Sequence, residues 1–239
     1  MALVPTDQEV ALLQPLVQHY SDDIGGKRLI STFLNSLIGY IEESNCLKTC
    51  VHSHRSRLKD PTHLFDKLLR KKREADSEGR PFDIVTADLF TRITDLAGIR
   101  LLHLHSRQFG EIDRCLKEII AEQPIELVEG PIAHTWDDEY RALFTALGAA
   151  VANNPRMYTS VHYVVASRST TTVTCEIQVR TLMEEVWGEV DHSVNYPHPN
   201  ENVACTEQIR ALARSTSSAT RLVDAIFATV EDLARRADR

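Results

Sequence analysis

With 239 residues, 43% of them apolar and 26% charged, the chain can bury a sizeable core, so one domain with helical additions is the default. A formal net charge of −7 argues against a general nucleic-acid coat protein, and no apolar run approaches a membrane span. The five cysteines, Cys46, Cys50, Cys115, Cys175 and Cys205, are odd in number and scattered, which argues against a disulfide framework and fits a reducing cytoplasmic location.

In chain order, residues 7–19 and 27–47 carry helical apolar spacing and are separated by Gly25-Gly26. His19 and Tyr20 in this lead-in are expected to be structural. Residues 50–59 read as a short strand entering a basic loop. Asp60 and Pro61 then supply an N-cap and a first helical residue. The helix that follows has Leu64, Phe65, Leu68 and Leu69 on its inner side, and Lys67 on another face can turn back toward Arg57 and Lys59. A helix N-terminus adds partial positive charge there, so these three cations read as an anion site. Arg70 to Arg73 read as a solvated basic face.

A strand is expected from Ile99 to His105, with Asp95 just before it and Arg100 near its start. His103 and His105 share one face of it and are expected to be partly buried or surface histidines, since no third metal ligand has suitable spacing. Phe109 to Ala121 is an amphipathic helix and Ile125 to Val128 a short strand. Helical spacing runs from Asp137 to Val151, a segment placed to cover the site that follows. Tyr158 to Ser167 is a strand with Val161, Tyr163 and Val165 on one side.

From Thr172 to Thr181, Val173, Cys175, Ile177 and Val179 alternate with Thr174, Glu176, Gln178 and Arg180. That is the period of a strand with one apolar and one polar face. A carboxylate, an amide and a guanidinium stand in a row, ~7 Å apart. Such a set suits a metal ion held together with a phosphate, and it equally suits a wet edge strand; the pattern leaves both open. A hairpin with the preceding strand brings Tyr158 and His162 beside Glu176 and Gln178. Thr181 to Val194 is a helix stopped at Tyr196-Pro197-His198-Pro199, and residues 202–236 form one long helix or two.

Together these pieces resemble the synthetase domain of the RelA/SpoT family, over roughly Cys50 to Pro199. Arg57-Leu58-Lys59 with Lys67 resembles the family's ATP-binding element. Asp95-Leu96-Ala97-Gly98-Ile99-Arg100, Tyr158-Thr159-Ser160-Val161-His162 and Glu176-Ile177-Gln178-Val179-Arg180-Thr181 resemble three further motifs. Four motifs in order, each in strand or helix context, make a specific signal. The resemblance divides the chain into a helical segment (1–49), a synthetase domain (50–199) and a helical extension (200–239). It describes a small member without the hydrolase or ribosome-sensing modules.

The fold it implies is α/β, a mixed β-sheet flanked by helices and related to nucleotidyltransferases. The activity it implies is transfer of the β,γ-diphosphate of ATP to the ribose 3′-hydroxyl of GDP or GTP. Asp95 and Glu176 would hold Mg²⁺, with Glu176 also acting on the acceptor hydroxyl. Arg57 and Arg100 would sandwich adenine, a role suited to guanidinium planes. Lys59 and Lys67 would meet the ATP phosphates, and Tyr158, His162 and Gln178 would form the acceptor site.

The chain departs from the family at Asn154-Pro155-Arg156-Met157, where a lysine and a glycine are usual, at His63, and at Glu185, where some small synthetases use an asparagine to read guanine. Two alternatives stand beside this reading. One is a toxin-like enzyme acting on adenine nucleotides or the tRNA 3′ end, and the other is a non-catalytic nucleotide-binding regulator. No membrane partner is expected, and a homo-oligomer is compatible with the sequence.

Overall fold

A computed structural model of the chain describes residues 4–195 and 200–237. Six strands form one mixed sheet: β1 (Ser53–Leu58), β2 (Ala97–His103), β3 (Ile125–Thr135), β4 (Ala150–Asn153), β5 (Ser160–Ser167) and β6 (Thr174–Thr181). Their order is β1-β2-β6-β5-β3-β4. The β2/β6 and β3/β4 pairs are parallel and the other neighbours antiparallel. The helices around it are α1 (Asp7–Ser21), α2 (Gly26–Glu43), α3 (Asn45–Cys50), α4 (Pro61–Ser77), α5 (Leu89–Arg92), α6 (Phe109–Glu122), α7 (Asp138–Ala146), α8 (Leu182–Asn195) and α9 (Val203–Ala237). The expected mixed sheet flanked by helices is what forms.

The period-two pattern of β6 sets the two faces. Cys175, Ile177 and Val179 are buried with Ile99 and Leu101 of β2 and Val161, Tyr163 and Val165 of β5. Leucines and isoleucines of α1, α2, α4 and α6 close this core. Each such side chain contributes about 1.5–3 kcal/mol of burial. Inside it, the Tyr163 hydroxyl donates to Asp113 at 2.9 Å. The opposite face keeps Glu176, Gln178 and Arg180, and α8 lies against its β2 and β6 strands.

The start of α4 forms as its residues dictate. Asp60 Oδ1 accepts from the backbone N–H groups of Thr62 and His63 at 2.8 and 3.4 Å, and Pro61 fills the first helical position. Leu64, Leu68 and Leu69 are fully buried. Arg73, expected in solvent, instead ties α4 to α1 through two bonds to Glu9 at 2.8 and 3.0 Å.

Several expectations are corrected. The strand from Ile125 runs to Thr135, because Gly130-Pro131 interrupts its pattern without ending its pairing; the register shifts there instead. The helix from Asp137 ends at Ala146. Gly148 turns the chain at φ 87, a conformation open to glycine, and Ala150–Asn153 pairs as β4. That helix packs on β3 and β4. Strand β2 begins two residues early and ends at His103.

His103 and His105 are buried, at 3% and 7% exposure; His103 Nδ1 lies 2.9 Å from the His105 carbonyl, and α9 covers His105. His105 stacks on Phe227 with ring centroids 4.3 Å apart. Val203–Ala237 forms a single helix, α9. It is held by Asp224, which accepts from the Ser106 N–H and hydroxyl at 2.7 and 2.6 Å, and by Ser217, which donates to Asp137 at 2.8 Å. Leu222, Ile226, Val230 and Leu233 in its second half are exposed.

Cys46 and Cys115, 69 residues apart, form a disulfide with their Cα atoms 5.8 Å apart. Packing of α3 on α6 brings them together, which scattered spacing could not show. The Tyr196 to Pro199 stop signal lies outside the described residues. Among the described residues, no helix is long and apolar enough to cross a membrane.

Candidate active site

Sheet register builds the site. Arg57, Gly98 and Glu176 stand in one row across β1, β2 and β6. Arg55, Arg100, Gln178 and His162 stand in the next, across β1, β2, β6 and β5. Side chains in a row share a face. Gly98 has none, so a cleft opens between Arg57 and Glu176. It has a volume of about 170 Å³ and is lined by Arg55, Arg57, Asp95, Arg100, Glu176 and Gln178, among others.

Asp95 sits at the entrance to β2 and receives one lysine on each oxygen. Lys59 Nζ lies 2.8 Å from Oδ2 and Lys67 Nζ 2.8 Å from Oδ1. Burial pushes the Asp95 carboxyl up, but the two ammonium groups outweigh it and hold the pKa at about 2. Burial pulls the Lys59 ammonium below the ordinary lysine range, against the support of Asp95. The Lys59 carbonyl accepts from the hydroxyl of Tyr20, a concrete structural task for a residue expected to be structural. His19 stacks on Phe90, with centroids 5.0 Å apart.

Glu176 faces the same cleft. Its Oε1 lies 2.8 Å from His162 Nδ1 and accepts from Gln178 Nε2 at 3.2 Å. Burial raises this carboxyl too, but the His162 hydrogen bond and charge bring it below the ordinary glutamate range. The His162 ring continues to Tyr158, stacked at 6.2 Å with 13° between planes. Tyr158 then packs toward Trp187, with centroids 6.3 Å apart. Tyr158 precedes β5 rather than lying in it. It is presented by a turn in which Asn154 Nδ2 donates to the Tyr158 carbonyl at 2.9 Å and the Arg156 N–H to Asn154 Oδ1 at 3.0 Å. Met157 in that turn has φ 65. This is the left-handed conformation glycine adopts freely, at the position where the resembling family usually has one.

Of the residues singled out in the sequence, Arg57, Asp95, Arg100, Glu176 and Gln178 therefore line one cleft. Lys59 and Lys67 touch it through Asp95, His162 through Glu176, and Tyr158 through His162. Glu185, which stands where some small synthetases use an asparagine to read guanine, is committed to Arg180, Arg100 and Arg55 at 2.7, 3.1 and 3.6 Å.

Sequence reasoning passed over Arg55, Glu189, Glu184 and His134. Arg55 has the alternation signal, two residues before Arg57. His134 lies in the part of β3 beyond Val128, where the expected strand stops, and its ring centroid is 4.5 Å from that of His162. Glu184 is 4% exposed and accepts from the Thr159 N–H at 3.0 Å. Burial pushes its carboxyl up to about 7. No periodicity marks a buried acid on a helix that otherwise reads as amphipathic.

The family described as "Region found in RelA / SpoT proteins" matches residues 56–201. No curated protein matches the sequence. Among solved structures, the chain is similar to the small alarmone synthetase 1 from Bacillus subtilis, with a TM-score of 0.57 and 18% identity over 95% of this chain and 100% of that one. The same protein bound to its product pppGpp gives a TM-score of 0.52 at 18% identity, over 95% of this chain and 100% of that one. A GTP pyrophosphokinase family protein from Streptococcus pneumoniae gives 0.57 and 18%, over 96% of this chain and 97% of that one. At this identity the likeness establishes the fold.

Proposed function

The chain belongs to the RelA/SpoT family, and on that premise we propose that it is an alarmone synthetase, transferring the β,γ-diphosphate of ATP to the ribose 3′-hydroxyl of GDP or GTP. The observation that carries this reading is the convergence of Asp95, Glu176, Arg57 and Arg100 on one cleft. Binding alone does not require both carboxylates there, which argues against a non-catalytic nucleotide-binding regulator. The structures of the Bacillus subtilis synthetase with pppGpp and with AMPCPP support nucleotides as the ligands.

In the proposed reaction, the acceptor 3′-oxygen bonds to the β-phosphorus. The bond from that phosphorus to the oxygen bridging it to the α-phosphate breaks, and AMP leaves. Phosphoryl transfer asks the protein mostly for positioning and charge stabilisation. Arg57 and Arg100 would hold the adenine, guanidinium planes being suited to stacking. Lys59 and Lys67, already side by side on Asp95, would also neutralise the phosphates. Tyr158 would stack on the acceptor base, and Gln178 and His162 would flank it. Glu176 stays ionised at neutral pH and would take the proton of the 3′-hydroxyl as the new bond forms, with His162 orienting its carboxylate.

The donor set also suits Mg²⁺. This ion is held through one or two carboxylates plus substrate phosphates and keeps several waters. Asp95 and Glu176 are two such carboxylates on one cleft, and the charge of Asp95 pushes the Glu176 carboxyl up, a repulsion a divalent cation relieves. When bound, Mg²⁺ would supply positive charge to the transferring phosphates.

The test is to incubate the protein with ATP and, separately, GDP, GTP, an adenine nucleotide or tRNA, and to identify the product. Transfer to GDP or GTP with release of AMP supports the reading. Transfer only to an adenine nucleotide or to tRNA would replace the acceptor.

A further inference from the structure

On the side of the cleft away from the lysines, two acids of α8 meet three arginines from three adjacent strands. Glu185 and Glu189 are four residues apart and so share one helix face. Arg100 Nη1 lies 2.6 Å from Glu189 Oε1 and 3.1 Å from Glu185 Oε1. Arg55, directly across from Arg100 in the β1/β2 pair, lies 3.6 and 3.9 Å from the same two acids. Arg180, only 9% exposed, holds Glu185 from below at 2.7 Å. The room for its guanidinium comes from Gly188, where a Cβ would stand 2.7 Å from Arg180 Nη1.

Like charges directly opposite each other on neighbouring strands repel. Arg55 and Arg100 are such a pair, and both line the cleft. Without a counter-charge they would splay, and each would sample many rotamers. The acids hold them side by side. Glu185 is buried and anchored, whereas Glu189 is about half exposed, at 48%, and reaches Arg100 from the solvent side.

We propose that Glu185 and Glu189 are positioning residues for the donor nucleotide, holding the guanidiniums of Arg100 and Arg55 against the cleft wall before the nucleotide arrives. The inference rests on the reading that this cleft takes ATP. It is distinct from a general electrostatic effect, because the two have opposite signs. Carboxylates beside a polyanion's site repel it, so on charge alone removing one tightens ATP binding. Positioning requires that removal weakens it, since the freed arginine must then be ordered at the moment of binding.

The experiment measures binding of the non-hydrolysable analogue AMPCPP to the wild-type protein and to Glu189→Ala, Glu189→Gln, Arg100→Ala and the double variant Arg100→Ala/Glu189→Ala. Glu189 is chosen because Glu185 substitutions leave the buried Arg180 without its ion pair and threaten folding. Positioning predicts roughly tenfold weaker binding for Glu189→Ala. Glu189→Gln, which keeps an acceptor oxygen, should recover most of the loss. In the Arg100→Ala background, Glu189→Ala should cost much less than it does alone, because Arg100, at 2.6 Å, is the acid's main partner and Arg55, at 3.9 Å, a distant one. Unchanged or tighter binding by Glu189→Ala, or additive losses in the double variant, would overturn the proposal. If the wild-type protein binds AMPCPP and the cycle is non-additive, yet no acceptor is modified, the enzymatic reading falls and the positioning role stands. Failure of the wild-type protein to bind AMPCPP would overturn both.

Discussion

At the scale of single residues, the site separates charges that must be present from charges that are merely tolerated. Glu176→Gln is expected to remove diphosphate transfer while AMPCPP still binds. Its carboxylate acts mainly as the reaction proceeds, so turnover should fall far more than donor affinity. Near-wild-type turnover would contradict the role. Asp95→Asn should abolish activity and also destabilise the fold, because it leaves Lys59, only 8% exposed, without its counter-ion. Breaking a largely buried pair costs about 3 kcal/mol, or roughly 6–12 °C in Tm for a chain of this size. An unchanged Tm would show that the lysines do not depend on Asp95.

Glu184 gives a pH signature. Its folded pKa is about 7, above the ordinary glutamate value of 4.5. Between those values the folded chain keeps a proton that the unfolded chain has lost, so this group lowers stability as pH rises from about 4.5 to about 7. Glu184→Gln removes that slope. Urea denaturation should find the variant more stable than wild type at pH 7.5, by on the order of 2 kcal/mol, with the gap closing toward pH 5. A gap that does not narrow at low pH would contradict this.

At the scale of elements, the turn before β5 and the ring it presents decide the acceptor side. Tyr158→Ala should raise the acceptor KM roughly ten- to hundredfold and leave the ATP KM nearly unchanged, since one base–aromatic stack is worth about 1–3 kcal/mol. Met157→Ile tests the turn itself. A β-branched residue is strongly disfavoured at φ 65, so this variant should raise the acceptor KM although residue 157 is not itself a proposed acceptor-binding group. Steady-state kinetics with both substrates varied distinguish these outcomes from a shared loss of both KM values.

Strands were legible in the sequence wherever polar and apolar residues alternated cleanly. Glu176, Gln178 and Arg180 opposite Cys175, Ile177 and Val179 declared β6 and its polar face. Asp60-Pro61 declared the start of α4. Long-range packing was not legible. The second half of β3 was lost because Gly130-Pro131 reads as an end, and His134 was lost with it. His103 and His105 read as partly buried or surface residues because nothing local says that α9 packs on His105. The arginine–acid cluster was invisible for the same reason: Arg55, Arg100, Arg180, Glu185 and Glu189 come from three strands and a helix, and only the sheet order brings them together.

At the scale of the whole molecule, one sheet does two jobs with its two faces. The apolar face fixes strand register by burial, and a slip of one residue would turn Glu176 into the core. The polar face thereby inherits a fixed geometry at which carboxylates, lysines and arginines converge. Helix α8 continues directly from β6, so the strand carrying Glu176 also delivers the acids that hold Arg100.

The central claim is tested most directly by supplying the purified protein with Mg²⁺, ATP labelled in its β- and γ-phosphates, and GDP or GTP, and following the label. The account predicts that both labelled phosphates appear together on the ribose 3′-oxygen of the guanosine nucleotide, with one unlabelled AMP formed per transfer. Label that stays on ATP, or that appears only as free phosphate or on the 5′-phosphate chain, would contradict it.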